Sequence, residues 1–589
     1  MVIEKTSRRF QVAGRSVRAS IFEALTRRAA LVALAGSMSV AIAVFAQEQP
    51  SPDADPIVTD EGMVFPDGVF LPRSLTENEK RYLIEHPLVA RGGNGDASTR
   101  GSATPPTGPV RCVAEYEPMQ AVLVSWIGSS TFLTILAKMG AQATTVGNAD
   151  YYVVVPSAAV QTTATTLLTT QGANLSRVKF FIRPLDTIWI RDYGPRYIYQ
   201  GDVRAIVDHT YNRPRPNDDT FSQWFGPLKK QPVYDIPLIH GGGNFHLNAL
   251  GESFATKLIK NENPTLSETQ IIAYWQSYQN VTTHLFDPYP ASVDSTQHLD
   301  MWVQVFGDKK VMISDWPNNV GSAQDVICDN AAVYYTSQGY TVSRVPARSL
   351  SGTHYTYCNV VICNDLLLLP TYTNSTIVSA GHNTAALNAW KSVWETADKP
   401  AHKVVQVDCQ AIVTSAGVMH CIVMHVPAPL GGTAPTAYLK TPNGGATYIP
   451  GQVVPIQWIT DDDISVSNVD IQLSLDGGLT WPTTIAAATS DDGTENWAVP
   501  TVYSTRARLR VVARDASGNT GADASDQNFK IDGPHCAADF DEDGFVTGDD
   551  FDAYVLAFEA GLLSADFDSD GFVTGDDFDG YVTRYELGC

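Results

Sequence analysis

Ser415-Ala-Gly-Val-Met-His-Cys-Ile-Val-Met-His425 closes a region, 111–430, in which short β-rich runs alternate with amphipathic segments. Ala121–Trp126, Tyr151–Val155, Val178–Ile182, Met301–Phe306, Val311–Ser314 and Leu366–Pro370 read as strands. Between them Thr131–Gly140, Ser267–Gln279 and Ala385–Trp394 carry helical periodicity. The fold class is therefore α/β. No glycine fingerprint for a nucleotide follows any strand, and Gly241-Gly-Gly-Asn244 lacks the lysine and spacing of a phosphate loop. Standing alone, Cys421 reads as a small core hydrophobe in an apolar run. Two upstream clusters change that reading, because Trp189-Ile-Arg-Asp-Tyr-Gly-Pro195 and Gln297-His-Leu-Asp-Met301 supply carboxylates and a histidine.

Composition bounds the remaining possibilities. At 589 residues, 44% hydrophobic and 17% charged, the chain is too long for one core. Its formal net charge of −23 argues against a nucleic-acid partner. Arg27-Arg28 precedes an apolar run, Ala29–Phe45, that ends in small residues, the order of an export signal. Residues 1–46 are expected to be removed, and Thr26-Arg27-Arg28 also resembles a twin-arginine signal, which implies export of a folded protein. An uncleaved anchor is the competing reading. Both place the mature domains outside the cytoplasm, periplasmic, cell-surface or secreted, with no membrane contact after cleavage. Eight cysteines follow the signal, and Cys536 with Cys589 would clasp an acidic tail.

Residues 47–110 are rich in Pro, Asp, Gly and Ser and read as a linker or pro-segment without chemistry. Leu75–Ile84 within them reads as a short helix, Thr76 its N-cap and Glu79 completing a capping box. Residues 434–532 alternate in and out between Gly-rich turns, which suggests a β-sandwich resembling immunoglobulin-like modules. The tail, 536–589, repeats Asp-Phe-Asp-x-Asp-Gly-Phe-Val-Thr-Gly-Asp-Asp from Asp539 and again from Asp566. That is the calcium-loop pattern, with Asp539, Asp541, Asp543, Phe545 and Asp550 in the first loop. Asp566, Asp568, Asp570, Phe572 and Asp577 are their counterparts, aspartate replacing glutamate at position 12. The paired loops resemble a dockerin-type module, which implies Ca²⁺ and a cohesin-like partner; an acidic disordered tail is the alternative.

The chemistry follows from residue types. A cysteine attacks well only as thiolate, and a guanidinium brings the positive charge that favours it. A guanidinium also needs paired carboxylates that match its planar fork, and Asp192 and Asp300 are the candidates. His298, placed by period-two spacing on the strand face of Asp300, suits proton transfer near neutrality. Trp189-x-x-Asp192, His298-x-Asp300 and His420-Cys421, in this order, resemble the guanidino-group-modifying enzymes of the pentein superfamily, close to agmatine deiminases and the bacterial, Porphyromonas-type, peptidylarginine deiminases. The resemblance implies a five-fold pseudosymmetric α/β propeller over 111–430. It further implies Cys421 as covalent nucleophile, Asp192 and Asp300 as the guanidinium grip, His298 as general acid and base, and Trp189 along the substrate stem.

Tyr211-Asn-Arg-Pro-Arg-Pro-Asn-Asp-Asp219 holds Arg213 and Arg215 close together between prolines. It resembles the loop that binds the free carboxylate of a C-terminal arginine; a solvated pair neutralised by Asp218 and Asp219 is the other reading. His240-Gly-Gly-Gly departs from the acidic Glu-Gly-Gly run of agmatine deiminases, and Ser415-Ala-Gly417 carries less glycine than related nucleophile loops. His246, His284 and His382 read as ordinary histidines. The expected function is hydrolysis of peptidyl-arginine, preferably C-terminal, to citrulline and ammonia without a catalytic cofactor. Agmatine deiminase and an inactive, calcium-dependent binding protein are the alternatives.

Overall fold

The β-rich runs between residues 110 and 427 form five short sheets of three or four strands, with a separate two-stranded hairpin, Arg348–Leu350 with Thr353–Tyr355. The structure, a computed structural model, describes residues 57–59, 62–64, 70–91, 102–534 and 536–588. The expected signal and Gly92–Gly95 lie outside these. Each of the five sheets contains an antiparallel pair and a parallel step. A parallel neighbour needs a crossover, and helices Ser130–Thr145, Phe221–Leu228, Glu268–Gln279, Ala323–Ser337 and His382–Trp394 provide one per sheet. Strand Met119–Ser125 and its parallel neighbour Asp150–Val155 are almost wholly buried, as apolar runs packed on both faces should be.

One pairing decides where the site forms. The last strand, Met424–Pro427, returns to an early one, Met119–Ser125, with Met424 opposite Leu123. Cys421 therefore sits at the seam between the two ends of the region, facing loops from the intervening sheets. The expected strands and helices are all present, with boundaries moved by a few residues; Ser267 caps Glu268–Gln279 through a capping box with Gln270. His298 and Asp300 do not lie on a strand. They flank Leu299 at a 3₁₀ turn, Leu299–Met301, before strand Val303–Gly307.

The stretch expected to be an inert linker is partly docked. Helix Glu77–Glu85 has the capping box read from sequence, Thr76 Oγ1 accepting from Glu79 N and Glu79 returning to Thr76 N. Beyond the α/β region two sheets enclose a core of Trp458, Ile471, Leu509 and Phe529. They join the α/β region through buried Arg204, which pairs with Asp461 at 2.6 Å and donates to the carbonyl of Pro427 at 2.8 Å.

In the tail, helices Gly548–Glu559 and Gly575–Leu587 are capped by Thr547 and Thr574. Tyr554 and Tyr581 stack at 3.7 Å, and each hydroxyl donates across the repeat, to Ala565 O and Ala538 O. Cys536 is disulfide-bonded; its expected partner Cys589 lies outside the described residues. Among the described residues no helix is long and apolar enough to cross a membrane.

Candidate active site

Asp192 comes from a single helical turn, Ile190–Tyr193, Asp300 and His298 from the 3₁₀ turn, and Cys421 from a second 3₁₀ turn, His420–Ile422. All four side chains are buried, and all four converge on one guanidinium. That guanidinium belongs to Arg73. Its Nε and Nη2 donate to the two oxygens of Asp192, each at 2.8 Å. Nη1 and Nη2 donate to the two oxygens of Asp300, each at 3.1 Å. Nη1 lies 2.6 Å from Cys421 Sγ and Nη2 lies 2.8 Å from His298 Nδ1. Two bidentate carboxylates, a thiol and an imidazole thus surround one planar cation, the fork geometry that favours guanidinium over ammonium.

The charges respond to this enclosure. Burial alone would raise the carboxyl of Asp192, yet the Arg73 guanidinium holds it well below the usual range, and Asp300 is lowered for the same reason. Burial would lower the Arg73 guanidinium, but Asp192, Asp300 and Cys421 raise it. Burial pushes the Cys421 thiol well up; Arg73 opposes this, while Asp300 and Asp192 add to it. Burial and the repulsion of Arg73 lower His298 and favour its neutral form. The cation in the site is the charge that favours the thiolate, and burial with the two carboxylates outweighs it.

Several contributors were not legible as such. Asn359 Nδ2 donates to Cys421 Sγ at 3.2 Å, and its Oδ1 accepts from His420 N at 3.0 Å, fixing the nucleophile turn. His420 bridges Asp300 Oδ2 at 2.9 Å and Glu115 at 3.0 Å. His246, expected to be ordinary, is buried and stacks on His420 at 5.1 Å. The Gly241–Gly243 turn forms part of the wall: a Cβ on Gly243 would collide with Arg73 Nη2 and crowd Asp192 and Asp300. Gly417 is equally tight, since its Cβ would meet Trp189 at 2.6 Å and Cys421 Sγ at 3.1 Å. Ala416 adopts φ +63°, which glycine accepts more readily, so the departure noted in this loop is carried as a left-handed alanine.

Trp189, Arg213 and Arg215 meet the main chain around Arg73. Trp189 Nε1 donates to Leu71 O at 2.9 Å, and Arg73 N donates to Ser415 O at 3.2 Å. Arg213 Nε donates to Arg73 O at 3.0 Å. Arg215 donates to Pro72 O at 2.8 Å and forms a fully buried salt bridge with Glu79 at 2.7 Å. The expected free carboxylate is replaced here by peptide carbonyls and Glu79. Asp218 and Asp219 do not act as the solvated neutralising pair: Asp218 accepts from Thr187, and Asp219 pairs with Arg91.

The tail offers two clusters of carboxylates. Asp539, Asp541, Asp543 and Asp550 bring ligand atoms within 4.8 Å of one another, as do Asp566, Asp568 and Asp577. Asp570 is not in the second group; its Oδ1 accepts from Phe572 N. Asp550 also accepts from Thr547 N at 2.7 Å, and Asp577 from Thr574 N at 2.7 Å. The short acid at position 12 thus serves as the N3 residue of each capping box. Four clustered hard oxygen donors in the first loop fit a calcium ion.

A short-sheet α/β region whose thiol, imidazole and paired carboxylates enclose a planar cation defines a hydrolase of guanidino groups. Comparison with known proteins narrows the class. Residues 111–427, over half the chain, match the family described as Porphyromonas-type peptidyl-arginine deiminase. A protein of Marinomonas sp. (strain MWYL1), provisionally named agmatine deiminase, is 24% identical over 368 residues, covering 54% of this chain and 94% of that one. Among solved structures, the agmatine deiminase of Enterococcus faecalis aligns with a TM-score of 0.46 at 18% identity, covering 55% of this chain and 99% of that one. The agmatine deiminase of C. jejuni gives 0.45 at 16%, covering 54% and 96%. The chain belongs to the Porphyromonas-type peptidyl-arginine deiminase family and is a hydrolase acting on guanidino C–N bonds.

Proposed function

We propose that the protein hydrolyses the guanidinium of peptidyl-arginine to citrulline and ammonia. The observation that carries this reading is that the site grips main chain as well as guanidinium: Ser415 O accepts the amide of the residue it holds, and Arg213 contacts that residue's carbonyl. Agmatine has neither group. In a C-terminal arginine the same carbonyl becomes one oxygen of a carboxylate, and departure of Glu79 would free Arg215 for the other. In the mechanism, the Cys421 thiol proton passes to neutral His298 and the sulfur bonds to the guanidinium carbon while Asp192 and Asp300 hold its nitrogens. His298 protonates the departing ammonia, and the C–N bond breaks to leave a thiouronium. His298 then takes a proton from water, whose oxygen bonds to the carbon as the C–S bond breaks.

The same reading extends to the remaining regions. The five sheets are taken as blades of a pseudosymmetric propeller, residues 434–532 as an immunoglobulin-like sandwich and 536–589 as a dockerin-like module. Asp539, Asp541, Asp543, Asp550 and the Phe545 carbonyl would hold one Ca²⁺, and Asp566, Asp568, Asp570, Asp577 and the Phe572 carbonyl a second. Bound calcium would order the loops and take no part in deimination. A cohesin-like partner and export follow from the tail and the leader. The test is ammonia release from a peptide ending in arginine, its C-terminally amidated form and agmatine. A preference for either peptide over agmatine supports the proposal, and agmatine as the best substrate defeats it.

A further inference from the structure

Arg73 is fully buried in the site, and the chain immediately around it is docked. Phe70 packs edge-on against Phe132 at 4.4 Å and lies 5.9 Å from Trp189. Leu71, Pro72, Arg73 and Ser74 carbonyls are held by Trp189, Arg215, Arg213 and Arg215 respectively. Glu79 anchors the following helix on Arg215, and Arg91 fixes the far end through Asp208 at 2.9 Å. An arginine from another molecule cannot enter while this one is in place. Every group the chemistry uses already touches this guanidinium.

We propose that Arg73 is deiminated by Cys421 of its own chain, and that the loss of its charge releases residues 70–86 and opens the site. The proposal rests on the reading of Cys421 as the guanidinium nucleophile. With its proton passed to His298, the Cys421 sulfur bonds to Arg73 Cζ, and Nη2, the nitrogen contacting His298, leaves as ammonia carrying that proton. Water then adds to Cζ, gives a proton back to His298, and the C–S bond breaks. The balance is guanidinium plus water to neutral citrulline plus ammonium, with no change of oxidation state.

The product explains the release. A citrulline at position 73 is neutral and replaces one nitrogen donor by an oxygen acceptor. Asp192 and Asp300 lose the cation that compensates two buried carboxylates, and an acceptor now faces acceptors, which is costly in a buried site. Release would also take Glu79 away from Arg215, exposing both loop arginines to an incoming substrate. One turnover therefore converts a closed enzyme into an open one.

The experiment compares the full chain with its Cys421→Ser variant, each prepared in calcium, by peptide mass spectrometry over residue 73 and hydrogen exchange over 70–86. Citrulline at 73 in the wild type, arginine in Cys421→Ser, and at least tenfold faster exchange of 70–86 in the wild type are expected. A Cys421→Ser chain mixed with the wild type should keep Arg73 unconverted; conversion in the mixture would overturn reaction within one chain. Arg73 found intact in a wild-type preparation that releases ammonia from an added arginyl peptide would overturn the proposal and leave the deiminase reading standing. Intact Arg73 together with no ammonia from arginyl peptide or agmatine, in both the wild type and Arg73→Ala, would remove the nucleophile reading and this proposal with it.

Discussion

At Gly243 the absence of one carbon decides whether a guanidinium fits. Its Cβ would collide with the bound nitrogen and crowd both aspartates. Gly243→Ala should therefore abolish ammonia release from arginyl peptides by at least about 100-fold, since a misplacement near 1 Å costs that much in an oriented reaction. The thermal midpoint should move far less, and comparing the two readouts checks the assignment. Cys421 yields a second expectation. Burial, Asp300 and Asp192 raise the Cys421 thiol well above its ordinary value even against the opposing Arg73 guanidinium, and loss of that guanidinium removes the one charge that opposes them. Alkylation by iodoacetamide in Arg73→Ala should accordingly rise with pH above the ordinary thiol range of about 8.5, rather than reach a plateau below it. The sequence exposed these residues unevenly. Cys421, Asp192, His298 and Asp300 could be found because their types and order carry chemistry. Asn359 and Glu115 could not, because a lone polar residue in a run signals nothing until the fold brings it to the site.

The helix Glu77–Glu85 shows what local signals convey and what they omit. Thr76 and Glu79 were readable as a capping box, and the helix forms where they place it. That Glu79 also pairs with Arg215 at 2.7 Å was not readable, because the partners lie 136 residues apart. Nor was the destination of Arg73, since a Pro- and Ser-rich setting looks the same whether it hangs free or docks. Substitution separates the two roles. Thr76→Ala removes a cap worth about 1 kcal/mol, whereas Glu79→Ala leaves a buried, uncompensated Arg215 and should cost docking about 3–5 kcal/mol. Limited proteolysis within 70–91 should therefore accelerate much more in Glu79→Ala than in Thr76→Ala, measured in the Cys421→Ser background so that Arg73 stays intact. Acid should loosen the same segment. Asp192 and Asp300 have lowered values when paired with Arg73, so their contribution is fully present above the ordinary carboxylate range near pH ~4 and is lost as pH falls through the lowered values. In the Cys421→Ser chain, the protection of amides over 70–86 relative to their intrinsic exchange rates should be lost as pH falls through those lowered values.

Across the whole molecule the charge is distributed by region, and this sets how the parts respond to conditions. The segment from Gly533 to Cys589 holds fifteen acids and one arginine, a net of −14 out of −23. Its core is small, built on Tyr554, Ala557, Ala565 and Tyr581. So few buried side chains cannot offset the mutual repulsion of clustered carboxylates, which the proposed Ca²⁺ at the loops would compensate. The α/β region has an extensive apolar core, and Arg73 supplies the cation between its two central aspartates. Chelation with EDTA should therefore unfold 547–587 while leaving the deiminase site intact. The tail contains no tryptophan, all eleven lying between Trp126 and Trp497, so intrinsic fluorescence should barely change on chelation. Amide exchange over 547–587 should instead rise by orders of magnitude and return on adding Ca²⁺, while ammonia release from an arginyl peptide stays within about twofold, because among the described residues the site residues bond to groups outside the tail and distant, unshared sites act nearly independently. Loss of activity in parallel with exchange would show that the calcium loops and the thiol site are one cooperative unit.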